Sequence, residues 1–226
     1  MRVNEIFYSL QGEGFLAGAP SAFIRLAGCP LRCRWCDTKY AWDQTAGAHY
    51  SIEKIVRTVQ QWPSKFVVIT GGEPMINSEL PELVKHLKAS GKHITIETAG
   101  IGFVPDMPCD LMSISPKLSN SNPDDPELAA IHEDSRLDLA VLRELIDNYE
   151  YQLKFVVDSE ADLPEIQQTI DEIGNVNSEK VMLMPQAATR DELLAKLPIV
   201  AQMCEQTCLA FSQRLQILLY DGQRAK

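Results

Sequence analysis

No apolar run in this chain approaches the roughly 20 residues that a membrane-spanning helix requires. Basic residues are outnumbered, 21 Lys and Arg against 31 Asp and Glu, for a formal net charge of −10. That balance argues against a nucleic-acid partner gripped through its phosphates. It does not exclude an anionic small substrate, because local charge decides that. The opening residues Met1-Arg2-Val3-Asn4-Glu5-Ile6 lack the basic-then-apolar order of a secretory signal. A cytoplasmic setting is therefore expected, and it suits reduced cysteines. There is neither an internal repeat nor a low-complexity tract. At 226 residues the chain is long enough for one domain with a full core, and a single domain over residues 1–226 is expected.

Against this plain background one stretch stands out, Gly28-Cys29-Pro30-Leu31-Arg32-Cys33-Arg34-Trp35-Cys36-Asp37-Thr38. Its C-x3-C-x2-C spacing can turn three thiolates onto one object. Structural zinc takes four protein ligands, and common ferredoxin patterns supply four cysteines to a cluster. Three cysteines with no evident fourth leave one corner of a four-iron cluster open for another ligand. A zinc knuckle or unligated core thiols are the plainer alternatives. Cys109, Cys204 and Cys208 lie outside the motif and read as inert apolar thiols.

Residues 3–7 read as a short strand or extended lead-in, and the strand-like residues 22–27 run straight into the cysteine loop. Arg25 interrupts that run. It is either an outward strand residue or a guanidinium aimed at a carboxylate. Ser51 can cap a helix with Ile52, Ile55, Val56, Val59 and Trp62 on its apolar face. Residues 66–70 are continuously apolar, as in a buried parallel strand. Leu80, Leu83, Val84 and Leu87 mark a helix that Gly91 ends. Further strands are expected over 93–98, 110–115, 151–157 and 181–184. Helices are marked by Leu139, Leu142, Leu145 and Ile146, and by Leu163, Ile166, Ile170 and Ile173. Residues 119–134, rich in Asn, Asp and Pro, read as a mobile loop. Thr189 opens a helical stretch interrupted at Pro198, and residues 215–219 read as a last strand.

Strands alternating with helices imply a parallel sheet with right-handed crossovers. About six such units are visible, against the eight of a closed barrel. The expected fold is α/β, a partial and open (β/α)6 barrel, with a doubly wound sheet as the alternative. The unusual residues cluster where strands end: the cysteine loop, Gly71-Gly72-Glu73-Pro74, Glu97-Thr98-Ala99-Gly100, Ser115-Pro116-Lys117 and Pro185-Gln186. In parallel α/β folds those ends share one face, where active sites form.

Two of these segments carry a family resemblance. The C-x3-C-x2-C spacing and the Gly-Gly-Glu-Pro turn after a buried strand resemble the radical S-adenosylmethionine (SAM) enzymes. In that family three cysteines hold a [4Fe-4S] cluster and the methionine part of SAM binds the fourth iron. An aromatic residue such as Trp35 often stands between the last two cysteines. The Gly-Gly amides could then bond the carboxylate or amine of a bound amino acid. Leu10-Gln11-Gly12-Glu13-Gly14, Arg25, Cys36-Asp37-Thr38, Thr70 through Pro74, Glu97-Thr98 and Ser115-Pro116-Lys117 together resemble the 7-carboxy-7-deazaguanine synthase family.

That resemblance implies conversion of 6-carboxy-5,6,7,8-tetrahydropterin to 7-carboxy-7-deazaguanine with loss of ammonia, in the queuosine and deazapurine pathway. It implies a [4Fe-4S] cluster on Cys29, Cys33 and Cys36, SAM, and Mg2+ on Thr38. It matches Leu10, Gln11, Gly12, Arg25 and Thr70 to substrate contacts. Trp35, Cys36, Asp37, Gly72, Ser115, Pro116 and Lys117 match SAM contacts, and Met184, Pro185, Gln186 and Ala187 match another SAM segment. It further implies an external one-electron donor and a homodimer. No side chain is assigned the chemistry itself, because the cofactors carry it. Some relatives end in a residue whose terminal carboxylate closes on the substrate. The end of this chain, Tyr220 to Lys226, shows no match, so nothing is transferred there. A glycyl-radical activating enzyme, a non-catalytic iron–sulfur carrier and a zinc module are the alternatives. Cys33→Ala is expected to abolish turnover by the reduced, reconstituted protein; full product formation by that variant would refute the cluster reading.

Overall fold

The computed structural model describes residues 1–224. The last two positions, part of the expected domain and of the C-terminal segment 220–226, lie outside the described residues. Among the described residues the strands form one nine-stranded sheet: β1 (Arg2–Leu10), β2 (Pro20–Leu26), β3 (Ala48–His49), β4 (Phe66–Gly71), β5 (His93–Thr98), β6 (Leu111–Ile114), β7 (Tyr151–Val157), β8 (Val181–Pro185) and β9 (Ala210–Phe211). Their spatial order is β3-β1-β2-β4-β5-β6-β7-β8-β9. From β2 onward every neighbour is parallel and the order follows the chain. A doubly wound sheet would reverse direction partway. This one winds a single way and stays open, as a partial barrel does.

The helices are α1 (Ile52–Val59), α2 (Leu80–Ala89), α3 (Pro126–Ser135), α4 (Leu139–Asn148), α5 (Leu163–Ile173), α6 (Arg190–Thr207) and α7 (Leu215–Tyr220). Ser51 caps α1 by accepting from the Lys54 amide, and Ile55 and Val59 are buried beneath it. No helix bridges β5 and β6, which are joined by residues 99–110 alone.

Strand alternation sorts the sheet into two faces. Ala22, Ile24 and Leu26, Val67 and Ile69, Ile94 and Ile96, Met112 and Ile114, and Leu153, Phe155 and Val157 all enter one apolar core with the helices. The intervening residues, among them Phe23, Arg25, Thr70, Glu97, Ser113, Lys154 and Met184, line a cavity on the other face.

Four expectations need correction. Residues 3–7 belong to a longer strand, β1, that pairs antiparallel with β2 and with β3. Residues 215–219 are helical. A short apolar run is ambiguous between strand and helix, and here β9 takes the sheet position beside β8 instead. Helix α6 runs through Pro198, with Leu193 buried on one side of it and Val200, Met203 and Cys204 on the other. Burial of both halves offsets the missing proline N–H. Residues 119–134 contain a 3-10 turn at Ser119–Ser121 and then α3, rather than one loose loop. Asp125 caps α3 and Pro126 opens it, which is helix-start chemistry easily read as a turn.

That corrected segment braces the cysteine loop. The Arg32 amide donates to His132 Nδ1 at 3.1 Å, and His132 Nε2 meets Ser121 Oγ at 2.9 Å. Since Nδ1 accepts, the neutral ring carries its proton on Nε2 and gives it to Ser121. Ser121 Oγ in turn donates to Leu118 O at 2.6 Å. Burial holds the His132 pKa below its ordinary value. Replacing His132 by Leu orphans the Arg32 amide and is expected to cost about 1–3 kcal/mol. Denaturant unfolding of the metal-free protein measures this; a change within noise would show that the brace carries no weight.

Candidate active site

A cavity of about 420 Å³ opens over the C-terminal ends of the parallel strands. Three of the five strand-end segments put side chains on it directly, the Gly-Gly turn presents backbone at Gly71 and Gly72, and Met184 and Ala188 stand in for the fifth. The seam between them is made of backbone. The Gly72 amide donates to Leu26 O at 3.1 Å and the Glu73 amide to Gly28 O at 2.8 Å. A Cβ on Gly72 would lie 2.1 Å from Gly28 O and 2.8 Å from Cys29 Cβ, so only glycine lets the turn sit against the cysteine loop. The Gly72 amide is thus spent inside the fold and is not offered to a ligand, contrary to the expectation for this turn. Glu73 is also structural. It is buried and accepts from the Met75 amide, Thr98 Oγ1 at 2.7 Å and the Ala99 amide at 2.8 Å. Burial pushes its carboxyl pKa up despite these donors.

Cys29, Cys33 and Cys36 all line the cavity and are unbridged thiols. Burial raises the Cys29 pKa to about 12 and the Cys33 pKa to about 11. Among the described residues no three His, Cys, Asp or Glu side chains form a group that could hold a single metal ion. In a cluster each thiolate binds its own iron, so three sulfurs rimming one cavity suit it without meeting at a point. The same arrangement is wrong for a closed structural zinc. The donor set therefore fits an iron–sulfur cluster, which Cys29, Cys33 and Cys36 would hold.

Trp35, Cys36, Asp37, Ser115 and Lys117 line the cavity with Gly72. Lys117 Nζ sits 5.7 Å from the Trp35 ring centre and donates to Ser115 Oγ at 2.9 Å. Trp35 Nε1 donates to Asn120 O at 3.2 Å, which orients the indole. Pro116, Pro185, Gln186 and Ala187 do not line the cavity. Gln186 accepts from Lys196 at 2.7 Å, and the Ala187 carbonyl accepts from Arg214. Thr38 stands before a 3-10 turn that its side chain does not cap, and its Oγ1 is 3.6 Å from Cys36 Sγ on the cavity wall.

Leu10, Gln11, Gly12, Arg25 and Thr70 line the same cavity. Arg25 faces the cavity rather than outward. Its Nε donates to Glu5 Oε1 at 2.7 Å, which leaves the terminal nitrogens for a ligand. Glu5 also accepts from Tyr40 at 3.0 Å and from Arg224 at 2.9 Å. Gln11 is pinned by donating to Glu97 at 3.0 Å and accepting from the Glu13 amide. Gly12 has no room for a Cβ, which would overlap the Gln216 side chain.

The motifs did not single out Glu13, Lys154, Arg214 or Gln216 as site residues. Glu13 accepts from Lys154 at 2.8 Å, Gln216 at 2.7 Å and Arg214 at 3.3 Å. Burial alone would raise its carboxyl, but Lys154 and Arg214 hold it down at about 2. Burial alone would lower the Lys154 ammonium, and Glu13 and Glu97 raise it instead. Lys154, the one charged residue of the strand 151–157 and flanked by Leu153 and Phe155, was the readable signal. Arg214, Gln216, Ile217, Gly222, Gln223 and Arg224 build the C-terminal wall, for which no motif was found.

A profile of the Radical SAM superfamily matches residues 23–116. The chain is 41% identical to the 7-carboxy-7-deazaguanine synthase of Halobacterium salinarum, over 97% of this chain and 90% of that protein. It is 40% identical to the enzyme of the same name from Rhodopirellula baltica, over 98% and 87%. The crystal structure of QueE from Escherichia coli superposes with a TM-score of 0.71 at 26% identity, covering 93% of this chain and 92% of that one.

The Glu13 carboxyl sits below its ordinary value of 4.5 in the folded state. Its ion-pair stabilisation is therefore full above about pH 4.5 and is lost as pH falls towards about 2. Glu13→Gln is expected to destabilise the protein by about 3 kcal/mol at neutral pH, by leaving Lys154 short of its counter-ion. The gap from wild type should close as pH falls through that window. Unfolding curves at several pH values measure it, and a gap independent of pH would contradict the assignment.

Proposed function

The chain belongs to the 7-carboxy-7-deazaguanine synthase family of radical SAM enzymes, and we propose that it converts 6-carboxy-5,6,7,8-tetrahydropterin to 7-carboxy-7-deazaguanine with loss of ammonia, with Mg2+ as a further cofactor. As a radical SAM lyase of the queuosine pathway it uses a [4Fe-4S] cluster and SAM. The observation that carries the reading is the convergence of the cysteine loop, Gly72, Lys117, Arg25 and the Gln-Gly-Glu-Gly segment on one cavity.

In this reading Cys29, Cys33 and Cys36 hold the cluster. When bound, the cluster and SAM supply the one-electron chemistry that starts the ring contraction. Trp35, Asp37, Gly72, Ser115 and Lys117 surround SAM. Met184 lines the cavity with them, while Pro116, Pro185, Gln186 and Ala187 act from behind, by setting the backbone. Arg25 forks onto the substrate carboxylate through its terminal nitrogens, held at the right angle by Glu5. Thr38 offers Mg2+ a hydroxyl oxygen, the hard ligand type that ion prefers. Gln11 and Thr70 bond the polar edges of the pterin, and Leu10 and Phe23 shield it from water. Lys154 and Glu13 supply a fixed, paired charge at the cavity floor.

The reading carries with it one domain over the whole chain, an external one-electron donor, a homodimeric state and a cytoplasmic setting. Among the described residues no helix is long and apolar enough to cross a membrane. Incubating the reduced, reconstituted protein with SAM, Mg2+ and the carboxypterin should yield the deazaguanine, detected by mass. SAM cleavage without that product would overturn the substrate, and no SAM cleavage would overturn the reading entirely. Arg25→Ala is expected to raise KM for the pterin at least about tenfold, the scale of a lost charge-assisted pair. An unchanged KM would remove Arg25 from the carboxylate site.

A further inference from the structure

Arg214 lies just before α7, in the part of the chain where the sequence motifs had run out. Its side chain is 8% exposed. Its guanidinium reaches three segments far apart in sequence. Nη2 donates to Asp37 Oδ2 at 2.7 Å, Nη1 to the Ala187 carbonyl at 2.7 Å, and Nε to Glu13 Oε1 at 3.3 Å. Those partners come from the end of the cysteine loop, from the segment after β8, and from the glycine-rich turn after β1. All three segments belong to the cofactor or substrate walls in the proposed function, and the role of Arg214 rests on that reading.

We propose that Arg214 is a positioning residue that locks Asp37, and with it the end of the cysteine loop, at a set distance from the SAM and substrate walls. Asp37 keeps 47% of its side chain exposed, so packing alone does not hold its rotamer. Arg214 is buried and is itself fixed by Ala187 and Glu13. A planar guanidinium bonds several acceptors in one rigid frame, whereas a lysine ammonium offers a point charge on a flexible stem. Few backbone bonds do the same work at this end of the loop. The Cys36 amide donates back to Cys33 O at 3.1 Å and the Ala41 amide to Thr38 O at 2.8 Å, both local, and the bonds from the Gly28 amide to Ala41 O at 2.8 Å and from the Cys29 amide to Trp42 O at 3.1 Å close the base of the loop beyond Asp37.

Removing the side chain need not unfold the protein. Glu13 keeps Lys154 and Gln216, so no buried carboxylate is stranded. Asp37 can turn to water. What is lost is placement, and the loss should concentrate at the cysteine loop and at SAM.

The test compares wild type with Arg214→Ala, Arg214→Lys and Asp37→Ala. In the metal-free chain, hydrogen exchange of amides 36–41 should quicken about tenfold in Arg214→Ala, the factor corresponding to about 1.4 kcal/mol. Amides of β7 should not change. In the reconstituted protein, SAM affinity by calorimetry should fall about tenfold while KM for the pterin moves by less than about threefold. Arg214→Lys should recover little of either. The double variant Arg214→Ala/Asp37→Ala should lose no more than one single variant, because the pair acts as a unit. Unchanged loop exchange and SAM affinity would overturn the proposal. So would a uniform rise in exchange across the sheet with equal losses for SAM and pterin, which marks a merely structural arginine. A wild-type protein that bound no SAM would sink the functional reading instead, and loop exchange alone would then decide the hold of Arg214.

Discussion

A missing side chain at Gly72 is the constraint on which the site depends. Any Cβ there would strike the Gly28 carbonyl oxygen at 2.1 Å. Because there is none, the turn after β4 closes onto the loop after β2 with two backbone hydrogen bonds, to Leu26 O and Gly28 O. Glu73 then extends the same seam to β5 through Thr98 and Ala99. The cysteine loop is therefore seated on the sheet from below by the Gly-Gly-Glu-Pro turn and from outside by His132 and Ser121. Three thiols from one short loop are kept on the rim of one cavity by bonds that other residues make.

The second constraint is electrostatic. One face of the sheet is apolar and buried under helices, and the other carries Arg25, Glu97 and Lys154 near the strand ends. Taking such groups out of water costs several kcal/mol per ion unless they are paired and bonded. The fold answers with Glu5 for Arg25, and with Glu13 for Lys154 and Arg214. These pairings do more than offset desolvation. They spend the Nε of Arg25 and leave its outer edge free, so the residue is held stiff while its useful nitrogens remain available.

Much of this was legible in the chain. The alternation of apolar runs and helical stripes gave the parallel strands β2 and β4 to β8, since buried strands and amphipathic helices leave different periods. The short C-x3-C-x2-C and Gly-Gly-Glu-Pro segments were readable because their chemistry is local. Leu215 to Leu219 was misread because a short apolar run fits either element, and its partner surface decides. The helix at Pro126 was missed because Asp-Pro opens helices as readily as turns. Lys154 could have been suspected as the lone charge of its strand, flanked by Leu153 and Phe155, but nothing in its neighbourhood names Glu13 as its counter-ion.

Sequence by itself determined the class of chemistry and where most of the parallel strands lie along the chain, because a cluster-binding loop, a glycine turn and a strand period are each written within a dozen residues, whereas their order in the sheet was left between two folds. Tertiary structure alone decided the C-terminal wall, the pairing of Glu13 with Lys154, and the reach of Arg214 to Asp37, a contact spanning 177 positions. Such contacts exist only after the sheet has wound round to bring its first and last strands over one cavity. No local pattern encodes them, since the energy that selects a buried partner depends on which charges are left facing it once water has gone.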